Sequence, residues 1–218
     1  MKNNLEILYE DNHIIVVVKP FNILSQSDDT KDIDMLTLIK SYLKEKYNKP
    51  GNVYLGLVHR LDRPTGGIMV FAKTSKAASR LSEQIRLNLF TKKYLAVING
   101  YLSEKSGVFE DYILKKEDNS SIISKDGKYA KLEYEVLKEK SNLSLVNILL
   151  HTGRHHQIRV QFASRNHPLY GDQRYGKASK KQLALFAYYL SFSHPVTKEK
   201  LEFIKYPDKV GIWKEFIC

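Results

Sequence analysis

The sequence predicts an α+β protein built on a mixed, largely antiparallel β-sheet with a few flanking helices. Two observations lead there. Short β-rich runs, continuous or alternating, recur along the chain, and few segments carry apolar residues at helical spacing. The expected strands, in order, are Leu5 to Tyr9, Ile14 to Val18, Ile68 to Ala72, Tyr94 to Ile98, Tyr129 to Leu137, Leu143 to Leu150 and Leu201 to Ile204. A helix is expected over Met35 to Tyr47, with Leu36, Ile39, Tyr42 and Leu43 on one stripe. A second is expected over Ser75 to Asn88, with Ala78, Leu81, Ile85 and Leu89 on its stripe and Ser75 as N-cap. A third begins near His155, where Thr152-Gly153 breaks the preceding strand and Ile158 and Phe162 stand one turn apart. Lys115 to Gly127, rich in Lys, Asp, Asn and Ser, reads as a solvated loop that could equally touch phosphates.

The run His59-Arg60-Leu61-Asp62-Arg63-Pro64-Thr65-Gly66-Gly67 sets one carboxylate between two guanidiniums just before a Pro and Gly turn. In an extended segment alternate side chains share a face, so Arg60 and Asp62 point one way and Leu61 the other, into apolar packing. Taken alone, Asp62 reads better as a surface residue opening a turn. A second run, Leu150-His151-Thr152-Gly153-Arg154-His155-His156-Gln157-Ile158-Arg159-Val160 followed by Gly171-Asp172, changes that balance. Together these runs resemble the catalytic motifs of RNA pseudouridine synthases, in the branch called the RluA family. Val17-Val18-Lys19-Pro20-Phe21-Asn22-Ile23 resembles the family's early lysine-proline turn, and Lys93 to Gly100 its tyrosine strand. The resemblance runs from about residue 5 to residue 205. Two positions depart from it: Gly66 stands where Ser is usual, and His155 where Thr or Ser is usual.

The resemblance implies the pseudouridine synthase fold with a central cleft for RNA, and isomerisation of uridine to pseudouridine in structured ribosomal or transfer RNA. The reaction breaks the bond from ribose to base nitrogen, rotates the base and rejoins it through carbon, with no net redox change. Neither cofactor nor metal is expected. The essential carboxylate is expected to be Asp62. An Asp removed from water needs a cation to stay ionised, and Arg159 or, as second choice, Arg154 is expected to supply it. A base inside a stack must be flipped out to be reached. Arg60, a planar cation that can stack on bases and bond phosphates, is expected to fill the gap. Tyr94 is expected to lie against the flipped uracil, although in a chain with 14 Tyr it also reads as a core strand residue. His59, Arg154, Gln157 and Ile158 are expected to contact the substrate, Ile158 as pocket wall or as plain helix core.

Composition agrees without compelling this reading. Lys and Arg number 35 against 24 Asp and Glu, a net charge of +11 suited to a polyanion. The single Cys218 excludes an internal disulfide framework and a thiolate zinc cluster. Residues 1–218 are expected to form a single catalytic domain with no separate N-terminal RNA-binding domain. No leader pattern and no membrane-length apolar run are legible, so a cytoplasmic monomer with RNA as partner, no membrane and no obligate protein partner is expected.

Three other readings carry less. Gly171 to Lys177 matches the start of a phosphate-binding loop, but Ala178 stands where Ser or Thr would hold magnesium. His151, His155 and His156 suggest a metal, with no local carboxylate or cysteine to complete it. The Asp28 to Asp34 cluster reads as a solvated loop. The functional competitors are a noncatalytic RNA-remodelling protein of the same fold and, more distantly, a metal-dependent RNA hydrolase.

Overall fold

The computed structural model describes residues 5–30, 32–178 and 180–217; Cys218 and Lys31 lie outside them. In chain order the elements are β1 (Ile7–Glu10), β2 (Ile14–Lys19), α1 (Met35–Lys46), β3 (Gly56–Leu57), β4 (Gly66–Ala72) and α2 (Ser75–Arg86). Then follow β5 (Thr91–Asn99), β6 (Ser106–Lys115), β7 (Ser121–Ile123), β8 (Lys128–Lys140), β9 (Leu143–Leu150), α3 (Gln157–Ala163), β10 (Leu185–Ser193), β11 (Lys200–Ile204) and a closing 3-10 turn, Gly211–Glu215. The architecture is a mixed, mostly antiparallel β arrangement with three helices, as the sequence predicts. Among the described residues no helix is long and apolar enough to cross a membrane.

The chain forms two compact units, Met1–Phe90 with Tyr189–Lys205, and Thr91–Tyr188 with Tyr206–Cys218. In the first, β1 pairs β2, β2 pairs β4 in register from Ile14↔Ala72 to Lys19↔Gly67, and β10 pairs β11. Every residue of β2 and β4 is buried, which is why both read as continuous apolar runs rather than alternating ones. Ile14, Val16, Ile68, Val70, Leu190 and Phe192 pack with Ala77 and Leu81 of α2. Phe90 stacks on Phe192 at 5.1 Å between ring centroids. Each large apolar side chain so buried contributes about 1.5–3 kcal/mol. This rigid pair of strands carries the aspartate segment that leads into β4.

The helix starts differ from expectation. Thr74, not Ser75, caps α2, its hydroxyl accepting the Ala77 N–H at 3.1 Å. The backbone is extended at Thr74 and helical from Ser75, so the hydroxyl that can turn back to the first turn belongs to Thr74. Asp34 caps α1, accepting from Thr37 N at 3.1 Å and Thr37 Oγ1 at 2.6 Å. It is buried, so the acidic cluster expected to be a solvated loop ends in a structural cap. Leu89, expected on the α2 stripe, lies beyond the helix and is exposed.

In the second unit β5 pairs β9, β9 pairs β8, β8 pairs β6 and β6 pairs β7, all antiparallel. The β6–β7 hairpin replaces part of the loop expected over Lys115 to Gly127; Ile113 lies opposite Ile123 and Lys115 opposite Ser121. Helix α3 is seated by rings: Phe162 meets Phe109 at 5.0 Å and Tyr134 at 5.9 Å. Its Val160 packs with Ile113 of β6 and Ala130 of β8. The helix begins at Gln157, two residues later than expected near His155, because His156 adopts a left-handed backbone (φ 54°) that ends the turn before it. Arg154 therefore stands in that turn, not in the first helical turn with Arg159.

Candidate active site

The aspartate segment keeps the alternation of an extended strand without being one. Arg60 is exposed, Leu61 is buried and Asp62 is half-buried. Leu61 is held at both backbone groups by one hydroxyl: Ser25 Oγ donates to the Leu61 carbonyl at 2.8 Å and accepts the Leu61 N–H at 3.1 Å. The Thr65 N–H donates to the Asp62 carbonyl at 2.9 Å, closing the turn through Arg63-Pro64. Lys19 sits beneath it, fully buried, its ammonium donating to the carbonyls of Pro20 (3.0 Å), Ile23 (2.6 Å) and Arg63 (3.1 Å). Burial pushes that ammonium down to about 7; the Asp62 carboxylate opposes the shift and the Arg63 cation adds to it. Arg63 itself pairs with Asp32 at 2.8 Å on the exposed side. His59 Nε2 accepts the Val70 N–H at 3.1 Å, tying the start of the motif to β4. The Asp62 carboxylate is thus presented on a backbone pinned from two sides, which limits the movement it can make.

The second unit holds the remaining candidates. Tyr94 lies on β5 opposite Ile148 of β9 and is 7% exposed. Arg159 on α3 is 6% exposed and makes a two-pronged pair with Asp172, Nε to Oδ2 and Nη2 to Oδ1, both 2.8 Å. Asp172 Oδ1 also accepts the backbone N–H of Arg174 at 3.0 Å and of Tyr175 at 3.1 Å. Burial alone would raise the Asp172 carboxyl, but the Arg159 hydrogen bond and charge, with those two N–H groups, hold it below its ordinary value. The Tyr175 ring lies 5.2 Å from the guanidinium carbon, and its hydroxyl meets His156 Nδ1 at 2.8 Å and the Ser121 N–H at 2.7 Å. His155 stacks on His156 at 3.8 Å and meets Ser121 Oγ at 2.9 Å.

Gln157 organises the turn in front of α3. Its Oε1 accepts Thr152 Oγ1 at 2.8 Å and the Arg154 N–H at 3.0 Å, and its Nε2 donates to the Lys131 carbonyl at 3.1 Å. Arg154 is exposed, its Nε fixed on the Tyr129 carbonyl at 2.7 Å. Ile158 is 5% exposed. His151 pairs with Glu133 at 2.8 Å. Among the described residues no group of three His, Cys, Asp or Glu is placed to hold a metal ion. The segment resembling a phosphate loop is a turn organised by Asp172, entered at Gly171 with φ +75°, where a Cβ would run into the Gln182 carbonyl. Sequence reasoning missed Ser25, Ser121 and Tyr175. Tyr175 stood beside the noted Gly171-Asp172 pair, while nothing near Ser25 in the chain marks its bond to Leu61.

The RNA pseudouridylate synthase family profile matches residues 13–164. The ribosomal large subunit pseudouridine synthase C of Buchnera aphidicola (subspecies Schizaphis graminum) is 32% identical over 219 residues, covering 93% of this chain and 68% of that protein. The tRNA pseudouridine synthase C of Haemophilus influenzae is 32% identical over 223 residues, covering 90% of each. In fold, the structure titled Human RNA Pseudouridylate Synthase Domain Containing 4 superimposes with a TM-score of 0.78 at 24% identity, over 93% of this chain and 89% of that one. The chain belongs to the RNA pseudouridylate synthase family, enzymes that isomerise uridine to pseudouridine in RNA. Its motifs and these relatives put it in the RluA branch of that family.

Proposed function

We propose that this synthase acts on structured ribosomal or transfer RNA, with Asp62 as the essential carboxylate. The relatives' names supply the substrate class: one acts on the ribosomal large subunit, another on tRNA. The observation that carries the site reading is the aspartate turn, where a half-buried carboxylate follows an anchored Leu61 and an exposed Arg60. Arg60 fills the space left by the flipped nucleotide, and Tyr94 lies against the uracil. Arg159 is the cation of the site, oriented by Asp172. His59, Gln157 and Ile158 contact or shape the substrate pocket, and Arg154 contacts the substrate RNA from the turn that Gln157 fixes. The protein works as a cytoplasmic monomer on RNA alone.

Forming the new carbon–carbon bond expels the hydrogen at uracil carbon 5, so tritium placed there is released to water. Ribosomal and transfer RNA labelled at that carbon, from cells lacking this protein, is the substrate for wild type and Asp62→Asn, each with and without chelator. Release by wild type alone, indifferent to chelator, is expected. Tight, salt-sensitive binding by both proteins with no release from any fraction would make the chain a noncatalytic RNA binder.

A further inference from the structure

A concavity lies wholly in the unit that carries α3. It has a volume of about 390 Å³ and opens between the β6–β7 hairpin, the start of β8 and the turn before α3. Three cations line it, Lys115, Lys128 and Arg154, against one carboxylate, Asp126. Among the described residues none of the three is paired with a carboxylate, whereas Lys105 and Lys140 of the same unit are, to Glu139 and Glu215. Arg154 is anchored from behind through Nε, which leaves its two terminal nitrogens in the geometry that grips a phosphate with two parallel hydrogen bonds. Half-buried Leu114, beside the buried Ile113, gives the lining an apolar patch of the kind a ribose or base can cover. Gly127 brings the 124–127 turn so close to the Ile113 backbone that a Cβ there would overlap it, and this holds Asp126 and Lys128 at the rim.

We propose that this concavity holds a stretch of the RNA strand outside the reacting uridine, with its phosphates on Lys115, Lys128 and Arg154. The inference rests on the RNA-modifying reading above and adds a site to it. Unpaired cations around a concavity favour a polyanion, because binding exchanges condensed counterions for protein charge. Asp126 is the one repulsive group, so it tunes affinity downward.

The test measures the affinity for total transfer RNA against salt concentration, in the full chain. Wild type is compared with Lys115→Gln/Lys128→Gln, with Asp126→Lys, and with Lys40→Gln/Lys44→Gln as a charge-matched control on α1. Loss of two phosphate contacts should lower the slope of log affinity against log salt by about 1.4 to 1.8. Asp126→Lys should tighten binding and steepen the slope, a gain that misfolding would not produce. The control should leave the slope at the wild-type value. Unchanged slopes in both concavity variants, or an equal fall in the control, would overturn the proposal. The tritium assay on the same wild-type protein separates this from the catalytic reading. Release with an unchanged slope sinks the concavity and leaves the synthase; a lowered slope without release does the reverse.

Discussion

Replacing Asp172 by Asn should cost this protein about 3 kcal/mol of stability, and by Ala up to about 5, the range for removing one member of a buried pair and stranding the other charge. The geometry supports the upper part of the usual range. The Asp172 side chain is wholly inaccessible and that of Arg159 is 7% exposed, so water cannot replace the lost partner. Both prongs are 2.8 Å, and the same carboxylate closes the 172–175 turn through two backbone N–H groups. Asn keeps one oxygen for that turn but turns an amide toward the guanidinium, which is why it should cost less than Ala. The single Trp213 is buried in the same unit, so its fluorescence reports unfolding there. With a urea slope of about 3 kcal/mol/M, the Asn variant should unfold about 1 M earlier. The pH dependence has a definite sign. The folded carboxyl lies below its ordinary 3.8, so its contribution is fully present above that value and is lost as pH falls through the lower folded value. The acid limb of wild type should therefore be steeper than that of Asp172→Asn. A variant within about 0.5 kcal/mol of wild type, with an identical acid limb, would refute the claim that this pair holds Arg159 in place.

Two further changes probe the aspartate turn. Ser25→Ala leaves the buried Leu61 N–H and C=O without their shared partner, which should cost about 1–3 kcal/mol and lower the thermal midpoint by several degrees. Tritium release should slow as well, because Asp62 follows Leu61; an unchanged midpoint and rate would show that the hydroxyl is dispensable. Lys19 titrates at about 7 when folded and near 10.5 when unfolded, so between those values the unfolded chain binds more protons and stability rises with pH. Lys19→Met should flatten that rise in urea midpoints taken at pH 7 and pH 10, and equal rises in both proteins would sink the assignment.

Much of the aspartate segment was legible because its geometry is local. Alternation in an extended run placed Leu61 inward and Arg60 outward before any tertiary contact was known, and Pro64 with Gly66-Gly67 marked the turn. The buried strands β2, β4 and β5 were equally plain, since their apolar runs exceed anything a loop would carry. Strand β6 was not read, because its core contacts are only Phe109 and Ile113 among polar neighbours. Strand β7 is three residues long inside a polar stretch, and its place is decided by pairing with β6 rather than by its own composition. Strand β10 did carry an apolar and aromatic signal that the pattern reading passed over.

The sequence by itself determined the reaction class, through its resemblance to a known family, and the order of the motifs; each motif is legible because residues adjacent in the chain share a backbone whose turn and strand preferences are set by their own side chains. Tertiary structure alone decided the partners: Ser25 for Leu61, 36 residues away, Asp172 for Arg159, and the Ser121–Tyr175–His156 chain beside Arg159. The physical reason is that a buried hydroxyl or guanidinium takes whichever acceptor the fold brings within about 3 Å, and that choice depends on how distant strands pack. The motif said which groups to propose for the chemistry; only the packed chain said what holds them still.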